Sequence, residues 1–172
     1  KGKSLVFTGV MDYEPNEDAM VYFIQEVFDK VAEKCPEVTL YIVGKNPTDK
    51  LKKLVINRKN IIVTGKVDRV FSYIKSSTIY ISSLRIGSGK KNKIIEAISC
   101  GTPLIASTVS MEGFEDIEDK NLILRADSSN EWVENICKLL SDEEKRIDIK
   151  KRMFNLLDES YSWKNIAKKL VE

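Results

Sequence analysis

Four times in the first hundred residues, a short, continuously apolar, β-branched run gives way to a segment whose apolar residues recur at helical spacing. The runs cover residues 4–10 (SLVFTGV), 38–44 (VTLYIVG), 61–65 (IIVTG) and 78–83 (TIYISS). PLIAS (103–107) and the short NLILR (121–125) add two more. A strand apolar on both faces is one covered on both faces, and the intervening helices are the available cover. The pattern therefore predicts an α/β fold: a Rossmann-like, doubly wound parallel sheet of about six strands with right-handed crossovers. Helices are expected over 48–56, 69–75 and 91–100. After residue 125 the pattern is helical only, over 130–140, 143–157 and 163–171. The first helix is expected to open at Asn16 as N-cap, with Glu17 and Asp18 in the favourable first turn, and to stop at Pro36.

The 172 residues, 42% hydrophobic and 31% charged, have the size and composition of one globular domain spanning 1–172. A net charge of +2 is too small to suggest a nucleic-acid or membrane partner. No histidine is present, which excludes a Ser-His-Asp triad, a Cys-His pair and a His-ligated metal within this chain. Cys35, Cys100 and Cys137 are widely spaced and sit in apolar helical patterns, so they read as small buried hydrophobes in a reducing, cytoplasmic compartment. No apolar run approaches the ~20 residues of a membrane span. The chain opens on a strand without a methionine and reads as a piece of a longer protein.

Doubly wound sheets bind ligands at the carboxyl ends of their strands. The candidate loops are 9–15, 44–47, 65–69, 84–92 and 108–114. The chemistry concentrates in LRIGSGKKNKIIEAISCGTPLIA (84–106). Gly87 and Gly89 allow a tight turn and close backbone approach, and with Ser88 they place free N–H groups at the start of a helix. Arg85, Lys90, Lys91 and Lys93 add cations where the helix dipole disfavours them by ~0.3–1 kcal/mol each. A bound phosphate reverses that sign; a solvated basic loop is the alternative. Glu96 lies on the same helix face as Gly89, Asn92, Lys93 and Ser99, roughly 10 Å along the axis from Gly89. With a diphosphate on the helix N-terminus, its carboxylate comes within reach of a ribose cis-diol. The alternative is a Lys93–Glu96 surface pair worth a few tenths of a kcal/mol. Neither GxGxxG nor a Walker motif is present, and Asp12, Asp49 and Asp68 read as turn or cap residues.

LVFTGVMDYEPNEDA (5–19), LYIVGKNPT (40–48), IIVTGKVDRV (61–70), IYISSLRIGSGKKNKIIEAISCGTPLIAS (79–107) and YSW (161–163) together resemble the C-terminal, nucleotide-sugar-binding domain of group 1 glycosyltransferases, retaining enzymes of the GT-B fold. The resemblance implies that Glu96 binds the donor ribose. It also implies that Gly87, Ser88 and Gly89 hold the diphosphate, with Arg85 and Lys93 as the basic, catalytic groups. The base falls to Gly65, Lys66 and Val67, and Gly9 completes the donor-binding set. Family members often carry a second, sugar-contacting glutamate eight residues before the ribose ligand; here that position is Ser88. The implied partners are a nucleotide diphosphate sugar and a carbohydrate or lipid-linked acceptor held by an N-terminal domain lying outside this chain. No cofactor or metal is implied. A GT-B nucleotide-sugar epimerase and a non-catalytic nucleotide-binding module are the rival readings.

Overall fold

The structure is a computed structural model that describes residues 2–89, 91–114, 117 and 122–160. Lys90, the start of the 121–125 run, the YSW motif and the helix expected over 163–171 lie outside the described residues. Six strands form one sheet: β1 (Ser4–Thr8), β2 (Thr39–Val43), β3 (Ile61–Gly65), β4 (Ile79–Ser82), β5 (Leu104–Ala106) and β6 (Ile123–Arg125). Every neighbouring pair is parallel, in the order β3-β2-β1-β4-β5-β6. The first three strands step one way from β1 and the next three the other way. The switch point, and with it the crevice such folds use for ligands, therefore lies at the carboxyl ends of β1 and β4.

The helices are α1 (Glu14–Tyr22), α2 (Asp29–Lys34), α3 (Asp49–Val55), α4 (Val70–Ser76), α5 (Asn92–Ser99), α6 (Ser129–Ser141) and α7 (Glu143–Ser160). A π-helical stretch, Phe23–Phe28, joins α1 to α2 without a break. All of β1 and β4 is buried, as strands apolar on both faces must be. Phe23, Ile24, Val27 and Phe28 pack onto that sheet, and Phe23 meets Trp132 of α6 edge-on at 5.6 Å. A capping box between Ser128 and Glu131 starts α6.

One helix start differs from expectation. The helix begins at Glu14, with Tyr13 as N-cap and Pro15 in the first turn. The fixed φ of proline presets that turn without a side-chain cap. Asn16 is thereby released from capping and is buried inside the helix instead. Its amide nitrogen donates to the Val10 carbonyl at 2.9 Å, leaving its oxygen for another partner.

Three glycines finish the strands beside the switch point. Gly44 follows β2 with φ +151°, and a Cβ there would lie 1.7 Å from the Gly9 carbonyl oxygen, so no side chain fits. The Gly9 N–H donates to Val43 and the Gly44 N–H to Gly65. These contacts draw the ends of β1, β2 and β3 into one floor. Beneath it, the fully buried Tyr80 hydroxyl pairs with Thr8 Oγ1 at 2.6 Å.

Candidate nucleotide-binding crevice

Two cavities open on that floor, and Thr8, Gly9 and Glu96 line both of them. The first, about 390 Å3, is walled by Val43, Lys45, Lys66, Val67, Val70 and Phe71, from the ends of β2 and β3 and the first turn of α4. The second, about 400 Å3, is walled by Asn16, Gly87, Ser88, Lys91, Asn92 and Lys93, from α1 and the start of α5. Glu96 thus stands where the two cavities meet.

The sequence puts it there through α5. Ile94, Ala97 and Ile98 of that helix are buried, so its apolar stripe locks the helix against the sheet. Glu96 is left partly exposed on the opposite flank. Among the described residues its carboxylate makes no hydrogen bond or ion pair. The Lys93–Glu96 surface pair considered from the sequence is absent, because Lys93 turns inward. Its ammonium donates to Asn16 Oδ1 at 2.8 Å and lies 4.3 Å from the centre of the Phe7 ring. Burial pushes the Lys93 pKa down to about 7, against an opposing pull from Glu96 and with a further push from Lys91. A neutral amide and a ring face do not replace the lost hydration of an ammonium. Among the described residues this amine therefore has no counter-ion in ion-pair range.

Arg85 and Lys91, the other described cations of the turn, are matched. Arg85 donates to both Asp18 oxygens, at 2.9 and 2.5 Å, and stacks on Tyr22 at 4.7 Å. That holds its guanidinium on α1 rather than on either cavity wall, so contact with a diphosphate requires it to leave Asp18. Replacing Arg85 with alanine should lower stability by about 1 kcal/mol, the upper end for a partly exposed pair. It should alter nucleotide affinity less than a change at Lys93 does, as read by melting temperature and calorimetric titration. Lys91 donates to the Gly89 carbonyl and lies 3.9 Å from Glu112 Oε2. The Gly89 N–H donates to that same carboxylate oxygen at 2.8 Å, away from the cavity wall. No side chain caps the N-terminus of α5.

Of the residues singled out in the sequence, Gly9, Gly87, Ser88, Lys93 and Glu96 come together on the second cavity, and Lys66 and Val67 join Gly9 and Glu96 on the first. Gly65 supplies the bend at the end of β3, with φ +68°. Val10, Lys45 and Phe71 were missed, since nothing periodic marks an isolated loop lysine or an exposed ring in a short helix. A buried hydroxyl cluster was missed as well. Ser107 donates to the Leu84 carbonyl at 2.5 Å and Ser110 to the Ser82 carbonyl at 2.7 Å. These bonds tie the loop after β5 to the loop that carries the glycine turn.

A doubly wound parallel sheet of this order, with helices on both faces, defines a Rossmann-type α/β domain. The model of the glycosyl transferases group 1 family matches residues 2–142, and the chain belongs to that family. An uncharacterized glycosyltransferase of Methanocaldococcus jannaschii is 33% identical over 140 residues, covering 77% of this chain and 35% of that protein. The chain thus spans about a third of that relative's length. Its fold is that of S. aureus TarM, seen in a mutant crystallised with fondaparinux, α-GlcNAc-glycerol and UDP. The TM-score there is 0.82 at 18% identity, over 99% of this chain and 35% of TarM. The C-terminal CMP-Kdo binding domain of WaaA from Acinetobacter baumannii matches at TM-score 0.64 and 12% identity, over 91% of this chain and 89% of that one. Among the described residues no helix is long and apolar enough to cross a membrane, and no group of three or more Cys, Asp or Glu is placed to hold a metal ion.

Proposed function

We propose that this chain is the donor-binding, C-terminal domain of a retaining glycosyltransferase that moves a hexosyl unit from a nucleotide diphosphate sugar to a hydroxyl acceptor. The observation that carries this reading is the position of Glu96: an unpaired carboxylate at the junction of two cavities, one of them ending on an uncapped helix N-terminus. A nucleoside diphosphate has the matching layout, with a cis-diol in the middle, a base on one side and phosphates on the other. Glu96 accepts the ribose hydroxyls. The α5 N-terminus, Gly87, Ser88 and Lys93 take the diphosphate in the second cavity. During transfer, negative charge grows on the departing diphosphate. Free N–H groups and the Lys93 ammonium would stabilise it there without a metal or a resident cofactor. Arg85 serves as a positioning residue, tying the glycine turn to α1 through Asp18.

The nucleotide-bound TarM complex and the CMP-Kdo binding domain of WaaA support the reading by their fold and by what they bind. The acceptor, carbohydrate or lipid-linked, belongs to a further domain across the cleft. Titrating the chain with nucleoside diphosphates, followed by thermal shift, should raise its melting temperature. The same chain mixed with nucleotide sugar and carbohydrate acceptors should give no turnover. Turnover by this chain alone would contradict the division of labour, and the absence of any nucleotide-induced shift would remove the donor assignment.

A further inference from the structure

Two glycines of positive φ, Gly87 at +112° and Gly89 at +77°, shape the turn that opens α5. Apart from its chain neighbours, no described atom lies within 4 Å of where a Cβ on Gly89 would project, so packing does not hold this residue. Polar contacts do. The Gly89 N–H donates to Glu112 Oε2 at 2.8 Å, and the Lys91 ammonium donates to the Gly89 carbonyl. That ammonium also lies 3.9 Å from the same Glu112 oxygen, which closes a ring of contacts around Gly89. The loop that carries Glu112 is firmly seated. Just before it in the chain, Ser107 and Ser110 form a buried hydroxyl cluster with Ser82, their Oγ atoms 2.9 Å apart. They donate to the Leu84 and Ser82 carbonyls, at the root of the loop that carries the glycine turn.

A carboxylate beside a diphosphate site repels the ligand, so its presence there needs a compensating gain. We infer that Glu112 is a positioning residue, a strut that fixes the far end of the glycine turn before the donor arrives. This rests on the donor-binding reading, in which the turn receives the diphosphate. Arg85 holds the near end of the turn on Asp18, and Glu112 holds the far end at Gly89. Between these ties lie Gly87 and Ser88, which line the second cavity. The Gly89 N–H is spent on the strut, so its part is to set the shape of the turn. A glycine-rich turn without these ties would have to be ordered by the ligand, at the expense of affinity. An anchored loop suits a strut, because the buried serines keep the carboxylate from following the turn.

Calorimetric titration at two ionic strengths, comparing the parent with Glu112→Ala and Glu112→Gln, tests the strut. The ligands are inorganic pyrophosphate and whichever of UDP, GDP and ADP binds the parent tightest. Charge alone would make both variants bind tighter, since each removes a negative group. A strut predicts otherwise. Glu112→Ala should weaken both ligands about tenfold. That deficit should widen at higher salt, which screens the relieved repulsion and leaves the lost order. Glu112→Gln keeps an acceptor for the Gly89 N–H without the charge, so it should bind at least as well as the parent. In the unliganded chain, the Gly89 amide proton should move upfield in Glu112→Ala as its bond to the carboxylate is lost. The Glu112 side chain is 54% exposed, so both variants should melt with the parent. Binding by Glu112→Ala as tight as the parent's or tighter, or Glu112→Gln no better than Glu112→Ala, would overturn the inference and leave the donor site standing. Failure of the parent to bind pyrophosphate or any of the nucleotides would overturn the donor reading, and the role of Glu112 with it.

Discussion

Above pH 7, affinity for a nucleotide diphosphate sugar should fall as pH rises, by up to about tenfold per unit, with one proton taken up on binding. The cause is Lys93. Its pKa in the unliganded fold is about 7, because the half-buried ammonium is desolvated against Phe7 and Asn16, with no carboxylate among the described residues in ion-pair range. A diphosphate brings the missing counter-charge and raises that pKa, so above 7 the complex holds a proton that the free protein has released. A nucleotide sugar is the right probe, since its diphosphate diester does not titrate in this range. Calorimetry in two buffers of different ionisation enthalpy reads the proton directly. Lys93→Met should abolish the uptake and weaken binding by about 1.5–3 kcal/mol, the range for a hydrogen bond to a charged group.

The same substitution should act on stability with the opposite sign. The unfolded lysine titrates near 10.5 and the folded one near 7. Between those values the unfolded chain binds more protons, so the parent's stability rises with pH across that window. Below 7 the folded protein carries the cost of a half-buried, desolvated charge. Lys93→Met should remove the slope and melt higher than the parent at neutral pH and below, a group kept for binding at the expense of the fold. If parent and variant show the same pH dependence of binding and of melting, Lys93 is not the titrating group.

The strands were legible because both faces of β1 and β4, and most of β2, are covered, which leaves continuous apolar runs with little to mimic them. The first helix start was misread because an asparagine before two acids is a good cap in isolation. Pro15 overrides it, and the asparagine becomes the hydrogen-bond partner of a lysine 77 residues away. That distance marks the general boundary. Within α5, spacing along one helix places Glu96 relative to the glycine turn, and periodicity carries that information. The partners that decide which cations are free lie elsewhere: Asp18 for Arg85 across 67 residues, and Glu112 for the Gly89 amide across 23. Nothing in the local pattern links them. From the sequence the basic residues looked alike, whereas in the fold Arg85 is matched and Lys93 is half-buried with no ion-pair partner among the described residues. The wall of the first cavity was hidden for a similar reason, since Phe71 and Lys45 gain meaning only when the glycine-ended strands draw their loops together.

Glu96→Gln should weaken binding of a ribonucleoside diphosphate by roughly 1–3 kcal/mol while leaving the fold almost unchanged. The stability half follows from what the carboxylate does in the structure. Among the described residues it makes no hydrogen bond and no ion pair, so the amide breaks nothing on arrival. The binding half follows from the diol. A carboxylate accepts from both ribose hydroxyls, whereas glutamine carries no charge and presents one acceptor and one donor. A ligand lacking the 2′-hydroxyl should already bind the parent less well, and should lose less on mutation, because part of the interaction is gone beforehand. Crossing parent and Glu96→Gln with ribo- and 2′-deoxyribonucleotide isolates that contact as a coupling energy. A glutamate that merely shaped the cavity would weaken both ligands equally. Repeating the cycle with Lys93→Met in place of Glu96→Gln supplies the control: in the proposed complex Lys93 faces the phosphates, so its loss should penalise both sugars alike. A coupling energy near zero at Glu96, or an equally large one at Lys93, would mean that the ribose is not held where the two cavities meet.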